Sequence, residues 1–227
     1  IAYVNLTTMS FVMYYQDGSA FSSPHGSFMD PTGQFLYVTD QLGNRIYKWD
    51  ISNPMLPEYE SITINTTPGP TADPHEVVFH PDGSKYFVTC QGTDEVRVMD
   101  AATDNLITVI PTALYPLEMS ISPSRGYLFV SCMEGNAVSV ININTLTHVK
   151  DIATGFDPHG LVVDEVEDVV YVANRNLPTS GGPPPHHISS CGGRNGYMTV
   201  IDMSTLELEP GFKTELSVDP YSVMIRN

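Results

Sequence analysis

Positive charge is scarce in this chain. Across 227 residues, ten Lys and Arg stand against 26 Asp and Glu, for a formal net charge of −16. Such a surface repels phosphate backbones, so nucleic acid is excluded as a partner on electrostatic grounds. No apolar run approaches the roughly 20 residues that a membrane-spanning helix needs. Cysteine is limited to Cys90, Cys132 and Cys191, so the three thiols cannot all pair with one another. There is no Gly-x-Ser-x-Gly elbow, no His-Glu-x-x-His, no Cys-x-x-Cys and no phosphate-binding glycine loop, which removes the usual hydrolase, metalloprotease and nucleotide signatures.

What is present is a phrase said four times and begun a fifth. Pro24-His25-Gly26 leads through Asp30-Pro31-Thr32-Gly33 into Phe35–Asp40, and Pro74-His75-Glu76 leads through His80-Pro81-Asp82-Gly83 into Tyr86–Cys90. Pro116-Leu117-Glu118 leads into Tyr127–Cys132, Pro158-His159-Gly160 leads into Val169–Asn174, and Pro220-Tyr221-Ser222 opens a further unit. The prolines are separated by 50, 42, 42 and 62 residues, so two units carry insertions of 8 and 20. Within the second unit, Val77-Val78-Phe79, Tyr86-Phe87-Val88, the alternating Val96–Asp100 and Leu106–Ile110 are four short strands separated by turn residues. A radial array of such units is an all-β propeller of four-stranded antiparallel blades. The expected blades are 24–73, 74–115, 116–157 and 158–219, preceded by a partial blade at 1–23 and followed by the start of another at 220–227. Tyr3–Val12 aligns with Val140–Val149, which places the first residues in the outer strands of a blade.

Units of the form Pro-His-Gly…Pro-Asp-Gly…Tyr-Val-Thr-Asn resemble the YVTN-type β-propellers, also described as YncE-like or lactonase-like. The resemblance covers essentially the whole chain and implies a seven-bladed ring in a periplasmic or cell-surface protein. The chain then reads as about two-thirds of that ring, with roughly 100 residues expected before residue 1 by the two-blade deficit. The missing blades or a partner chain are expected to pack on Tyr3–Val12 and on Val223–Ile225, because open blade edges must be covered.

The geometry of a blade sorts side chains by face. The first strand of each blade is innermost and the second runs back, so the start of one and the end of the other share a face. That face is expected to carry His25, His75 and His159 as ligand-binding residues, with Arg194 and Asn195 from the long insertion after Asn174. The insertion also holds His186, His187 and Cys191 within six residues. Imidazole and thiolate are donors that copper and zinc prefer, so these three, with Cys90 and Cys132, form the candidate metal set. Each group has an ordinary structural alternative. The repeated histidines can bond backbone around the hub, and Cys90 and Cys132 can behave as small apolar groups in buried strands. A disulfide from Cys191 to either is also open. Asp30, Asp82 and Asp164 fall where turns favour Asp, and Asp50, Asp100, Asn142 and Asp202 end the third strand of successive units.

Three functions follow from this reading. The first is an extracytoplasmic binding or scaffold propeller that presents one decorated face to a protein or small ligand. The second is a copper-dependent oxidoreductase with a His/Cys site at the hub, similar in architecture to nitrous oxide reductase and selenium-binding-protein-like enzymes. The third is a lactonase, since lactonases share the fold.

Overall fold

The structure, a computed structural model, describes residues 1–14, 23–53, 55, 58–66, 68–176 and 195–226. Its described residues form a two-stranded hairpin followed by four larger antiparallel sheets. The hairpin pairs β1 (Ala2–Asn5) with β2 (Ser10–Tyr14). The first full sheet holds β3 (Pro24–Met29), β4 (Phe35–Asp40), β5 (Arg45–Asp50) and β6 (Glu58–Thr63) in sequence order. The second holds β7 (Pro74–Phe79), β8 (Lys85–Cys90), β9 (Glu95–Asp100) and β10 (Leu106–Pro111). The third holds β11 (Pro116–Ser122), β12 (Tyr127–Cys132), β13 (Ala137–Asn142) and β14 (Thr147–Ala153). A single 3₁₀ turn at Gln91–Thr93 is the helical content of the described residues.

The fourth sheet departs from the simple repeat. It contains β15 (Pro158–Asp164), β16 (Val169–Asn174) and β17 (Asn195–Asp202), but its outer strand comes in two pieces, β18 (Glu207–Leu208) and β19 (Thr214–Val218). Both pieces pair with β17, β18 against Ile201 and Asp202 and β19 against Asn195, Tyr197 and Met198. Pro210 has no N–H to give the ladder, and Gly211 turns at φ +78, so the strand breaks between them and resumes.

Strict alternation along the strands builds the cores. In β8, Tyr86, Val88 and Cys90 face the first sheet while Phe87 faces the third. In β12, Leu128, Val130 and Cys132 face the second sheet while Phe129 faces the fourth. The first three sheets are therefore apolar on both faces, and a separate core lies between each successive pair. At one end Ile1, Tyr3 and Met13 of the hairpin pack on Val38, Tyr47 and Trp49 of the first sheet. Inner strands β3, β7, β11 and β15 pack side by side around a common hub, which is the arrangement of a propeller.

The turns after the third strands repeat as the spacing predicts. Asp100 Oδ1 accepts the N–H groups of Ala102 and Thr103, Asn142 those of Asn144 and Thr145, and Asp202 those of Ser204 and Thr205. Asn5 does the same for Thr7 and Thr8 at 2.9 and 3.0 Å. Asp164 makes the same turn after the first strand β15, so it is the match of Tyr3–Val12 to Val140–Val149 that marks β1–β2 as a third and fourth strand.

Candidate functional site

The site is built by a bulge at the start of every inner strand. Pro24, Pro74, Pro116 and Pro158 pair with Asp40, Cys90, Cys132 and Asn174, and the register then slips by one residue before Ser27, Val77, Met119 and Leu161. The extra residue frees the two positions after each proline from the alternation of the strand. A hydroxyl closes the bulge: Thr39, Thr89 and Ser131 Oγ accept the N–H groups of Gly26, Glu76 and Glu118 at 2.8, 3.0 and 3.1 Å. In the fourth sheet Ala173 stands at that position. The residue before each leading proline from Asp73 onward, namely Asp73, Tyr115, Asp157 and Asp219, has φ between 48 and 60. A left-handed residue before proline is unusual, and its recurrence fixes how every inner strand enters the hub.

The freed positions bring aromatic rings into one row. The centroids of His25 and His75 are 4.2 Å apart, those of His75 and His159 5.9 Å, and those of His159 and Tyr221 3.7 Å. His25 is exposed, whereas His75 and His159 are buried. Behind Tyr221, the buried Arg175 grips Asp219 with two nitrogens, at 2.5 and 3.1 Å, and its guanidinium carbon lies 5.2 Å from the Tyr221 ring centre. Burial pushes the Tyr221 hydroxyl up to about 12, with the Arg175 charge opposing and the Glu118 charge reinforcing that shift.

Two glutamates occupy the same hub. Glu76 accepts the backbone N–H of Met119 from the next sheet, and its carboxyl is pushed well above the usual range by burial and by the charge of Glu118. Glu118 Oε1 lies 3.3 Å from Nδ1 of His159, which is 2% exposed. That nitrogen makes no hydrogen bond among the described residues. The sequence patterns marked the histidines and passed over Arg175 and the two glutamates, Glu76 and Glu118, which share the third position of the leading phrase in successive units where the others have Gly or Ser. Their position directly after the second residue of the leading phrase is the signal that would have found them.

The other predicted residues are dispersed. His186, His187, Cys191 and Arg194 lie outside the described residues. Asn195 lines a cleft of 450 Å³ with Asn176, Tyr197, Lys213 and Glu215. Cys90 and Cys132 are free thiols buried in two different inter-sheet cores, so the structure does not bring them together. Burial pushes both thiols up, Cys132 to about 11. Among the described residues, no three His, Cys, Asp or Glu side chains are placed to hold one metal ion. A cleft of 480 Å³ at the far end of the first two sheets is lined by Asp30, Thr32, Lys48 and Asp100 among others. Lys48 there is held by Asp104 at 2.7 Å and Glu60 at 3.4 Å.

Successive four-stranded sheets around a hub that gathers the variable side chains define a β-propeller with its candidate site on the axis. The chain belongs to the lactonase family of seven-bladed propellers: residues 15–179 match the family described as Lactonase, 7-bladed beta-propeller. Among solved structures it is similar to hydrazine synthase of Kuenenia stuttgartiensis, with a TM-score of 0.69 and 18% identity over 92% of this chain and 53% of that one. At that identity the likeness concerns the fold alone, and this chain spans about half the length of that neighbour. No curated protein sequence matches it.

Proposed function

We propose that the chain is an extracytoplasmic binding propeller that takes a small polar ligand at its hub. The observation that carries this reading is the row of His25, His75, His159 and Tyr221 rings, contributed by different units and flanked by Glu76 and Glu118. Within that row the buried Nδ1 of His159 makes no hydrogen bond among the described residues, a costly state that a ligand or water would complete. The acidic balance and low lysine content support a setting outside the cytoplasm, and recovery of the native protein with cytoplasmic markers on fractionation would overturn that part.

A thermal-shift screen of small neutral, acidic and basic compounds tests the binding reading. Hits should lose their effect in His159→Gln and keep it in Glu165→Gln, which lies on an exposed turn at the opposite end of the inner strand. Hits that respond to Glu165→Gln alone would place binding elsewhere.

Lactone hydrolysis is a second reading, favoured by membership of the family and by the unusual carboxyl of Glu76. A carboxyl that retains its proton can give it to the leaving alkoxide, while Glu118 or His159 takes one from the attacking water. Turnover of a γ- or δ-lactone should then vanish in Glu76→Gln and in at least one of Glu118→Gln and His159→Gln. Background rates for the unaltered protein would leave binding alone.

A further inference from the structure

The hub has acceptors in excess of donors, and this indicates what it binds. Glu118 presents a carboxylate oxygen 3.3 Å from His159 Nδ1, yet the geometry between them is not that of a hydrogen bond. The carboxylate is an acceptor, and Nδ1 accepts whenever it carries no proton, so a donor placed beside them can reach both. A buried nitrogen without a hydrogen bond, next to a carboxylate, is a costly arrangement that a donor from a ligand relieves. Glu76 adds a second carboxyl group to the same region, where the Glu118 charge disfavours its ionised form and a cation would relieve the repulsion. The Met119 N–H contact uses one oxygen of Glu76. The positive group nearest the ring row, Arg175, is already neutralised by its two-nitrogen grip on Asp219.

We propose that the hub recognises its ligand by an ammonium group, held by the Glu118 carboxylate next to His159 Nδ1 and within the field of Glu76. This rests on the hub-binding reading above and names the chemistry of the ligand. An alkylammonium carries two or three N–H donors in a tetrahedral array, and charge-assisted hydrogen bonds of about 2.7–2.9 Å reach from one nitrogen to several acceptors. A metal ion needs shorter bonds of about 2.0–2.4 Å to a tighter cluster, and the described side chains do not form one. The net charge of −16 draws cations toward the protein and repels carboxylated or phosphorylated compounds. The nearby rings suit an amine with a small apolar body better than a bare ion.

Isothermal titration calorimetry with benzylamine, benzyl alcohol and benzoate, which share a ring and differ in charge, tests the inference on the full chain. Benzylamine should bind at least about tenfold more tightly than the other two, reflecting its charge-assisted bonds. Glu118→Gln, which preserves size, should remove that advantage and leave the weak benzyl alcohol binding unchanged, with the same thermal melt as the parent. Equal binding of all three, still sensitive to His159→Gln, would overturn the ammonium inference and keep the hub as a binding site. Benzylamine binding indifferent to both Glu118→Gln and His159→Gln would overturn the inference and count against the hub reading as well. No benzylamine binding at millimolar concentration would overturn the ammonium inference alone.

Discussion

Thr89 Oγ1 donates a 2.7 Å hydrogen bond to the carbonyl of Leu117 in the next blade, while accepting the Glu76 N–H of its own at 3.0 Å. Thr39 makes the matching link from the first blade to the His75 carbonyl at 3.0 Å. The threonine that stands one residue before the end of β4 and of β8 therefore ties neighbouring inner strands together across the hub.

Thr89→Val keeps the shape and removes the hydroxyl, leaving a buried N–H and a buried carbonyl without this partner. Unfolding in urea should show a loss of about 1–3 kcal/mol at an unchanged slope. A midpoint equal to that of the parent would mean that water or a backbone shift replaces the link.

Close approach at Gly160 gives a second prediction. A Cβ built there falls 2.5 Å from Ser222 Cα and 2.8 Å from the Tyr221 carbonyl oxygen, both backbone atoms that cannot turn aside. Gly160→Ala should cost about 1–3 kcal/mol by overpacking and push Tyr221 away from His159. Hub ligand binding should weaken with it. Full stability together with full binding would show that residues 220–226 accommodate the methyl group freely.

Stability should depend on pH in two opposite ways. Glu76 has its folded pKa raised above 4.5, so its contribution is complete below that value and is lost as pH rises through the raised one. Asp50, Asp100 and Asp202 are held below 3.8 by hydrogen bonds from Ser52, Thr103 and Ser204, so their contribution is present above that value and lost as pH falls. Glu76→Gln removes only the first effect. As pH rises above 4.5, urea midpoints of the parent should fall more steeply than those of the variant. Parallel profiles would show that Glu76 titrates as an ordinary carboxylate.

Cys90 and Cys132 should be unreactive in the folded protein. Both are 0% exposed, and their pKa values are raised, which suppresses the thiolate that reacts. Iodoacetamide followed by peptide mass analysis should mark neither residue until denaturant is added. Rapid modification of either in the native protein would show that the cores between the first three sheets open readily.

The behaviour of those cysteines illustrates how far strand parity carries. Both were placed by sequence on the hub face, as the last residues of second strands opposite the leading prolines. Their backbones are there, but Cys90 shares parity with Tyr86 and Val88, and Cys132 with Leu128 and Val130. Parity turns the thiols into the cores. This is the buried-strand arrangement that the sequence offered for both as the ordinary structural alternative.

By itself the sequence determined the repeat, the number and order of strands in a blade, the Asx turns at Asp100, Asn142 and Asp202, and the entry of His25, His75 and His159 at the hub. These depend on local rules, alternation and turn chemistry, that act within a few residues. Only the tertiary structure decided that Glu76, Glu118, His159 and Tyr221 belong to one site, since they come from three blades and the start of a fourth unit. The bulge after each leading proline breaks the period-two count where it matters. Which way a bulged side chain points is set by the neighbouring inner strand, as with Glu76 and the Met119 N–H. Long-range packing, rather than any pattern along the chain, placed the carboxylates beside the rings.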